Sequence, residues 1–270
     1  MSTEINPVVN IEAVEEQKNP SAPDRLKRVK LIVAYDGTNY HGWQVQPNGE
    51  TIEGELNRTL SSLLGEKIVV TGASRTDAGV HSMGNVAVFD TKSRIPAEKI
   101  SYALNQRLPE DIVVQKSEEV PADFHPRHCD SRKTYEYRIL NREFPLPMYR
   151  NNTYFCYRKL DLEKMQQAAE YLKGEHDIKS FCATAAVVET TVRTIYELTV
   201  SRQGDIITIR VTGNGFLYNM VRIIAGTLLQ AGMGMIEPEE IKTILAAKDR
   251  STAGPTAPAQ GLTMIGIEYL

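Results

Sequence analysis

Ile68-Val69-Val70-Thr71-Gly72-Ala73-Ser74-Arg75-Thr76-Asp77-Ala78-Gly79-Val80-His81-Ser82-Met83-Gly84-Asn85-Val86-Ala87-Val88-Phe89 is the stretch on which the reading of this chain turns. Two runs rich in β-branched residues, strand-like over roughly 67–73 and 84–91, flank a polar connection bounded by glycines. The connection sets a carboxylate, Asp77, two residues from the Arg75 guanidinium and four from the His81 imidazole. Loops carried on a rigid scaffold are where reacting groups are usually held. Arg75 beside Asp77 can keep an acid ionised and aimed, as a nucleophile or a general base requires. It is equally the chemistry of a solvated ion pair in an ordinary Asp-Ala-Gly turn, and local spacing leaves both readings open.

Outward from this stretch, hydrophobic periodicity repeats one order of elements. Lys30–Tyr35 is strand-like, and Ile52, Leu56, Leu60 and Leu63 follow at helical spacing with Thr51 placed to cap. After the two strands around Asp77, Pro96 opens a helix with Ile100, Ala103, Leu104 and Leu108 on one face. Asp111–Val114 then closes a β-α-β-β-α-β set.

The remainder runs similarly. Tyr135, Tyr137 and Ile139 alternate along a strand. Asp161 caps a helix built on Leu162, Met165, Ala169 and Leu172, with Gly174 to end it. Residues 195–200 and 206–211 form a hairpin across Gln203-Gly204-Asp205. A helix from Phe216 to about Gln230, another opened by Pro238, and a strand at Met264–Ile267 complete the second set. The expected fold is α+β: two tandem β-α-β-β-α-β (ferredoxin-like) halves forming a mixed, mainly antiparallel sheet, with helices on one face and a central cleft. The expected organisation is a disordered tail at 1–27, an N-terminal half at 28–121 carrying the Asp77 loop, and a C-terminal half at 122–270, joined near Glu118–Phe124.

At 270 residues, 41% hydrophobic and 24% charged, the chain is of a size and composition to bury a sizeable core. Its net charge of −3 means that any nucleic acid must be met by a local basic patch. Cys129, Cys156 and Cys182 are far apart without a C-x-x-C pair, which argues for a reducing compartment and against a disulfide framework or a zinc site. Residues 1–27 are acidic and proline-bearing and lack the apolar core of a signal peptide. Met220–Ile236 is apolar but carries Arg222, Gln230 and several glycines, which suits a buried helix rather than a membrane span. The expected location is the cytoplasm.

Several chemistries drop out. Gly72-Ala73-Ser74-Arg75-Thr76 lacks the closing glycine of a serine-hydrolase elbow. Gly213-Asn214-Gly215 is followed by Phe216, Leu217 and Tyr218, which spoils a dinucleotide fingerprint, and there is no P-loop. The proline within His125-Pro126-Arg127-His128 argues against a metal site there, and neither a metal nor a cofactor is expected. What remains suits RNA. Arg127, Arg132, Lys133, Arg138 and Arg142 fall in one short stretch with Tyr135 and Tyr137 among them. Basic groups attract phosphates and tyrosine rings offer faces to unstacked bases, although a half-exposed strand reads the same way. Arg222 lies in an otherwise apolar helix, where a buried guanidinium needs a carboxylate. Any internal acid would serve, and Asp77 is the sharper choice.

These residues resemble the tRNA pseudouridine synthase A family. The resemblance rests on Arg75-Thr76-Asp77-Ala78-Gly79-Val80-His81 together with Tyr35-Asp36-Gly37-Thr38-Asn39-Tyr40-His41-Gly42-Trp43-Gln44. Phe124-His125-Pro126-Arg127, Lys133-Thr134-Tyr135-Glu136-Tyr137, Gly174-Glu175-His176-Asp177, Asn219-Met220-Val221-Arg222 and Ala257–Leu262 follow in order. Ile178 and Ser74 depart from the usual pattern beside the reacting groups, not on them. The resemblance spans about 28–270 and implies a cofactor-independent isomerase that makes pseudouridine at positions 38, 39 and 40 of the tRNA anticodon arm, acting as a homodimer. Carried over by position, Asp77 is the nucleophile, Tyr135 stacks on the target base, and Arg222 pairs with Asp77, lowering its pKa. Arg75 faces the RNA and helps hold the flipped nucleotide. His81, Arg127 and Lys133 are expected to bind RNA. A non-catalytic RNA-binding module and an aspartate-dependent hydrolase are the competing readings. The first leaves Arg75, Asp77, Tyr135 and Arg222 together unexplained, and the second leaves the interleaved tyrosines and arginines unexplained.

Overall fold

In the computed structural model, which describes residues 25–183 and 189–270, ten strands form one sheet. Most of the expected N-terminal tail, residues 1–24, lies outside the described residues. The strands are β1 Lys27–Tyr35, β2 Thr71–Gly72, β3 His81–Thr91, β4 Ile112–Val120, β5 Ser131–Asn141, β6 Tyr154–Cys156, β7 Gly174–Asp177, β8 Val192–Gln203, β9 Ile206–Gly213 and β10 Leu262–Tyr269. The helices are α1 Ile52–Leu64, α2 Ala97–Asn105, α3 Leu162–Glu170, α4 Met220–Gly232 and α5 Glu240–Ala247. The sheet runs β4-β1-β3-β10-β5-β9-β8-β7, with β2 on β3 and β6 on β5. Its ladders are antiparallel except β10 on β3 and β6 on β5, so the sheet is mixed and mainly antiparallel, in an α+β chain.

The order fourth, first, third, second strand occurs twice, as β4-β1-β3 with β2 on β3, and as β10-β5-β9-β8. β1 occupies one edge of β3 from Ser82 to Thr91. The other edge is shared: β2 pairs at Ala87 and Val88, and β10 pairs at His81 and Ser82. The connection bearing Asp77 therefore leaves the sheet where its two sets of strands meet.

Local chemistry explains the elements. Thr51 caps α1 by accepting from Gly54 N–H, and Asp161 caps α3 by accepting from Lys164 N–H. Val29, Leu31, Val33 and Tyr35 alternate inward along β1 and pack on Ile52, Leu56 and Leu60 of α1 and Ile100 and Leu104 of α2. A second core joins Tyr137 and Ile139 of β5 and Ile207 and Ile209 of β9 to Met165 of α3, Ile224 and Leu228 of α4 and Ile241 of α5. Each such leucine or isoleucine, fully buried, contributes about 1.5–3 kcal/mol. Val80, from the Asp77 loop, belongs to this second core.

Several elements differ from the periodicity. The strand expected over 67–73 is reduced to Thr71–Gly72, because Ile68 and Val70 N–H bond instead to the Ser61 and Asn57 side chains of α1. α4 starts at Met220 rather than Phe216, because Asn219 takes a left-handed φ of 60° that cannot continue a helix. β4 runs to Val120, so Glu118–Val120 is strand rather than linker. β6 and β7 are too short, at three and four residues, to have shown a period.

Candidate active site

The loop 73–80 is held through its carbonyls. Arg127 Nε donates to Gly72 O at 2.7 Å, Lys133 Nζ to Ala73 O at 3.0 Å, and Asn85 Nδ2 to Ser74 O at 3.0 Å. Trp43 N–H donates to Thr76 O at 3.0 Å, and Val80 N–H to Asp77 O at 3.1 Å. The last bond closes a turn whose third residue, Gly79, has φ 77°, the conformation that favours glycine there. Gly42, at φ 88°, lies against the same loop, and a Cβ on it would meet Thr76 O at 2.5 Å. The Tyr35 hydroxyl bonds Thr76 Oγ1 at 2.8 Å beneath the loop. A connection that looked like an ordinary turn is thus fastened at almost every peptide.

Asp77 is 19% exposed and Arg222 is 17% exposed, and Arg222 Nη1 donates to Asp77 Oδ2 at 3.0 Å. The guanidinium is itself aimed, with Nε donating to Ala257 O at 2.8 Å and Nη1 to Asn219 Oδ1 at 2.9 Å. α4 is buried on nearly every side, so Arg222, near its N-terminus, has only the cleft to face. A cation there is disfavoured by the helix dipole, which adds to its need for these acceptors. Asp77 Oδ1 accepts no hydrogen bond among the described residues. One oxygen of the carboxylate is anchored and the other is left for chemistry.

The acid's pKa corrects the expectation from sequence. Burial pushes the Asp77 carboxyl above its ordinary value, and the Arg222 hydrogen bond and charge offset only part of that rise. A single bond to a guanidinium shared among three acceptors does not replace the water lost.

Asp77, Arg222 and Tyr135 line one cleft of about 870 Å3, together with Arg75, Arg127, Lys133 and Arg193. The lining holds five cations against one carboxylate, in a chain whose net charge is −3. Arg75 is exposed and makes no side-chain hydrogen bond among the described residues, so it does not pair with Asp77. Tyr135 packs edge-on to Phe216 with ring centroids 5.1 Å apart, and burial pushes its hydroxyl up to about 12. That shift favours the protonated phenol.

Two sequence expectations are redirected. His81 does not reach the cleft: it is buried, and its Nδ1 accepts from Gly37 N–H at 3.1 Å, holding the 36–38 turn. The parallel pairing of His81 and Ser82 with Thr263 and Met264 of β10 draws His81 into the sheet, which no local pattern reveals. Of the basic run after residue 126, only Arg127 and Lys133 line the cleft. Arg132 lies over the Tyr196 ring, Arg142 pairs with Asp205, and Tyr137 is fully buried with its hydroxyl donating to Pro258 O. Asn219, Arg193 and Phe216 also line the cleft, with no role assigned to them from sequence. Phe216 and Asn219 follow the Gly213-Asn214-Gly215 break that marks an irregular backbone before α4, Asn219 stands in the Asn219–Arg222 block, and Arg193 carries no local signal. Burial lowers the Lys133 ammonium to about 8, assisted by the charges of Arg127 and Arg193.

The profile of the tRNA pseudouridine synthase family matches residues 31–128 and 168–269 of this chain. Proteins named tRNA pseudouridine synthase A are similar along most of its length. The one from Ruminiclostridium cellulolyticum is 50% identical over 245 residues, covering 90% of this chain and 100% of its own. Those from Acetivibrio thermocellus and Brevibacillus brevis are each 48% identical, with the same coverage.

Proposed function

The chain belongs to the tRNA pseudouridine synthase A family, whose members are isomerases acting on uridine in tRNA, and from that premise we propose the site and route of its reaction. The substrate uridines are those at positions 38, 39 and 40 of the anticodon arm. The enzyme works in the cytoplasm as a homodimer, with tRNA meeting both copies. The observation that carries the reading is the Asp77 carboxylate, tethered to Arg222 by one oxygen and open at the other, inside a cleft of five cations.

The reaction breaks the bond from C1′ to N1 of uracil, turns the base, and joins C5 to C1′. The proton leaves C5 and N1 gains one. A carboxylate can serve as a transient nucleophile towards carbon. The target nucleotide must leave its stack to reach Asp77, and an aromatic surface offsets the lost stacking. Tyr135 supplies that surface. Arg75, exposed at the cleft, meets the RNA and holds the flipped nucleotide.

The test is tritium release from C5-labelled uridine in a transcript tRNA. Asp77→Asn is expected to lose turnover on the order of 10⁴-fold or more while still binding tRNA. Turnover near the wild-type rate would remove Asp77 from the reaction. Comparing tRNAs that each carry a single candidate uridine tests the anticodon-arm assignment.

A further inference from the structure

Arg127 and Lys133 reach the Asp77 loop from outside the β1–β4 strands that carry it, and they grip adjacent peptides. Arg127 Nε holds Gly72 O and Lys133 Nζ holds Ala73 O, the two carbonyls at which the chain leaves β2 for the loop. Neither cation has a carboxylate partner among the described residues. Each keeps donors in reserve, since an ammonium has three N–H groups and a guanidinium five. Arg127 is exposed; loss of water and the charge of Arg75 disfavour its cation, while the charge of Glu53, which makes no ion pair with it, favours it. Lys133 stands between Gly213 of β9 and Ile267 of β10, neither of them charged, and the nearest other charges are Arg127 and Arg193. Clustered, unpaired cations around a cleft repel one another until an anion arrives.

We propose that Lys133 and Arg127 are positioning residues that hold the Asp77 loop through the Ala73 and Gly72 carbonyls and seat one RNA phosphate on their remaining donors, so that substrate binding sets the loop for reaction. The inference rests on the reading that Asp77 reacts with uridine in tRNA. A phosphate between the two side chains relieves their repulsion and strengthens the charged form of Lys133, which burial otherwise opposes. The same event tightens two bonds to the backbone ahead of Asp77. The loop is already fastened without RNA, and a phosphate on the two cations braces its first two carbonyls further.

The experiment compares Lys133→Met, Lys133→Arg and Arg127→Met in the full chain. Turnover is followed by tritium release and tRNA affinity is measured across a series of salt concentrations. A positioning role lowers kcat, and a misplaced reacting group loses roughly ten- to hundredfold. Each methionine variant is therefore expected to lose kcat by that factor and to reduce the salt slope of tRNA binding by about one. Lys133→Arg is expected to recover most of both. A wild-type kcat with only KM or the salt slope altered would mean phosphate contact alone and overturn the proposal. A reduced kcat with an unchanged salt slope would mean a structural brace alone and overturn it too. Arg127 is exposed, so its variant answers the same question if Lys133→Met does not fold. An inactive wild-type protein would instead defeat the uridine reading itself.

Discussion

Asp90 and Asp77 each face one arginine, and their carboxyls move in opposite directions. Asp90 is 40% exposed on β3, where Arg28, its register partner on β1, donates from Nε at 2.8 Å and Nη2 at 2.7 Å. Those two bonds outweigh a small loss of water and hold the Asp90 carboxyl below its ordinary value. Asp77 is more deeply buried and receives one bond of 3.0 Å, and burial wins. The two pairs look alike in sequence, each an aspartate matched to a distant arginine. Their difference is one of solvent and of the donors each acid receives. Arg28 gives Asp90 two, Nε and Nη2, besides its Nη1 bond to Phe124 O, whereas Arg222 gives Asp77 one and also serves Asn219 and Ala257. An acid kept slightly short of partners suits reaction, and an acid fully satisfied suits structure.

The sharpest way to break this comparison is Arg222→Gln. Removing one partner of a buried pair costs about 3–5 kcal/mol, and the lower end suits side chains 19% and 17% exposed. That cost falls on folding stability and is read as a lower melting temperature. Separately, an untethered Asp77 is expected to lower kcat/KM by roughly 10²-fold at neutral pH, the scale of a misplaced reacting group. The pH profile carries the sign. A nucleophilic Asp77 must be ionised, so activity is present above its raised pKa and lost as pH falls through it. Without Arg222 the acid limb moves to still higher pH. An unmoved limb would show that Arg222 does not govern the charge of Asp77.

A smaller effect is expected at Arg75. Arg75→Ala removes an exposed cation from the cleft and is expected to weaken tRNA binding and lower the salt slope by about one. The Asp77 acid limb stays in place, because Arg75 is not its partner. Filter binding across salt concentrations checks the first part and the pH profile the second.

Asp90→Asn is expected to do least. An exposed pair contributes about 0.2–1 kcal/mol, so thermal stability drops slightly and turnover is unchanged. Because the folded-state pKa of Asp90 is depressed, that stability is present above the unfolded carboxyl pKa and disappears as pH falls through the folded one. Wild type and variant should therefore converge in melting temperature in acid. A turnover defect in Asp90→Asn would erase the distinction between the two pairs.

Much of the scaffold was legible because it rests on local rules. Thr51 and Asp161 cap the helices they precede, and the alternation of β1 and β5 matches their buried faces. Where a neighbour intervened, the pattern misled. The 68–70 run has the composition of a strand but gives its amides to α1, and His81 has the look of a site residue but is drawn into the sheet. The roles of Arg127 and Lys133 towards the loop were invisible because their acceptors are backbone carbonyls more than fifty residues away.

The sequence by itself determined that the chain is α+β, that an acid sits in a glycine-bounded connection between strands, and that Arg222 in an apolar helix requires a counter-charge. These follow from periodicity, turn chemistry and the cost of an unpaired buried cation, all of which act over a few residues or a single side chain. Only the tertiary structure decided that β10 joins the two sets of strands beside that connection, that five cations surround one carboxylate, and that the carboxyl is raised rather than lowered. Desolvation depends on every atom packed around a group, and that packing is a property of the folded chain.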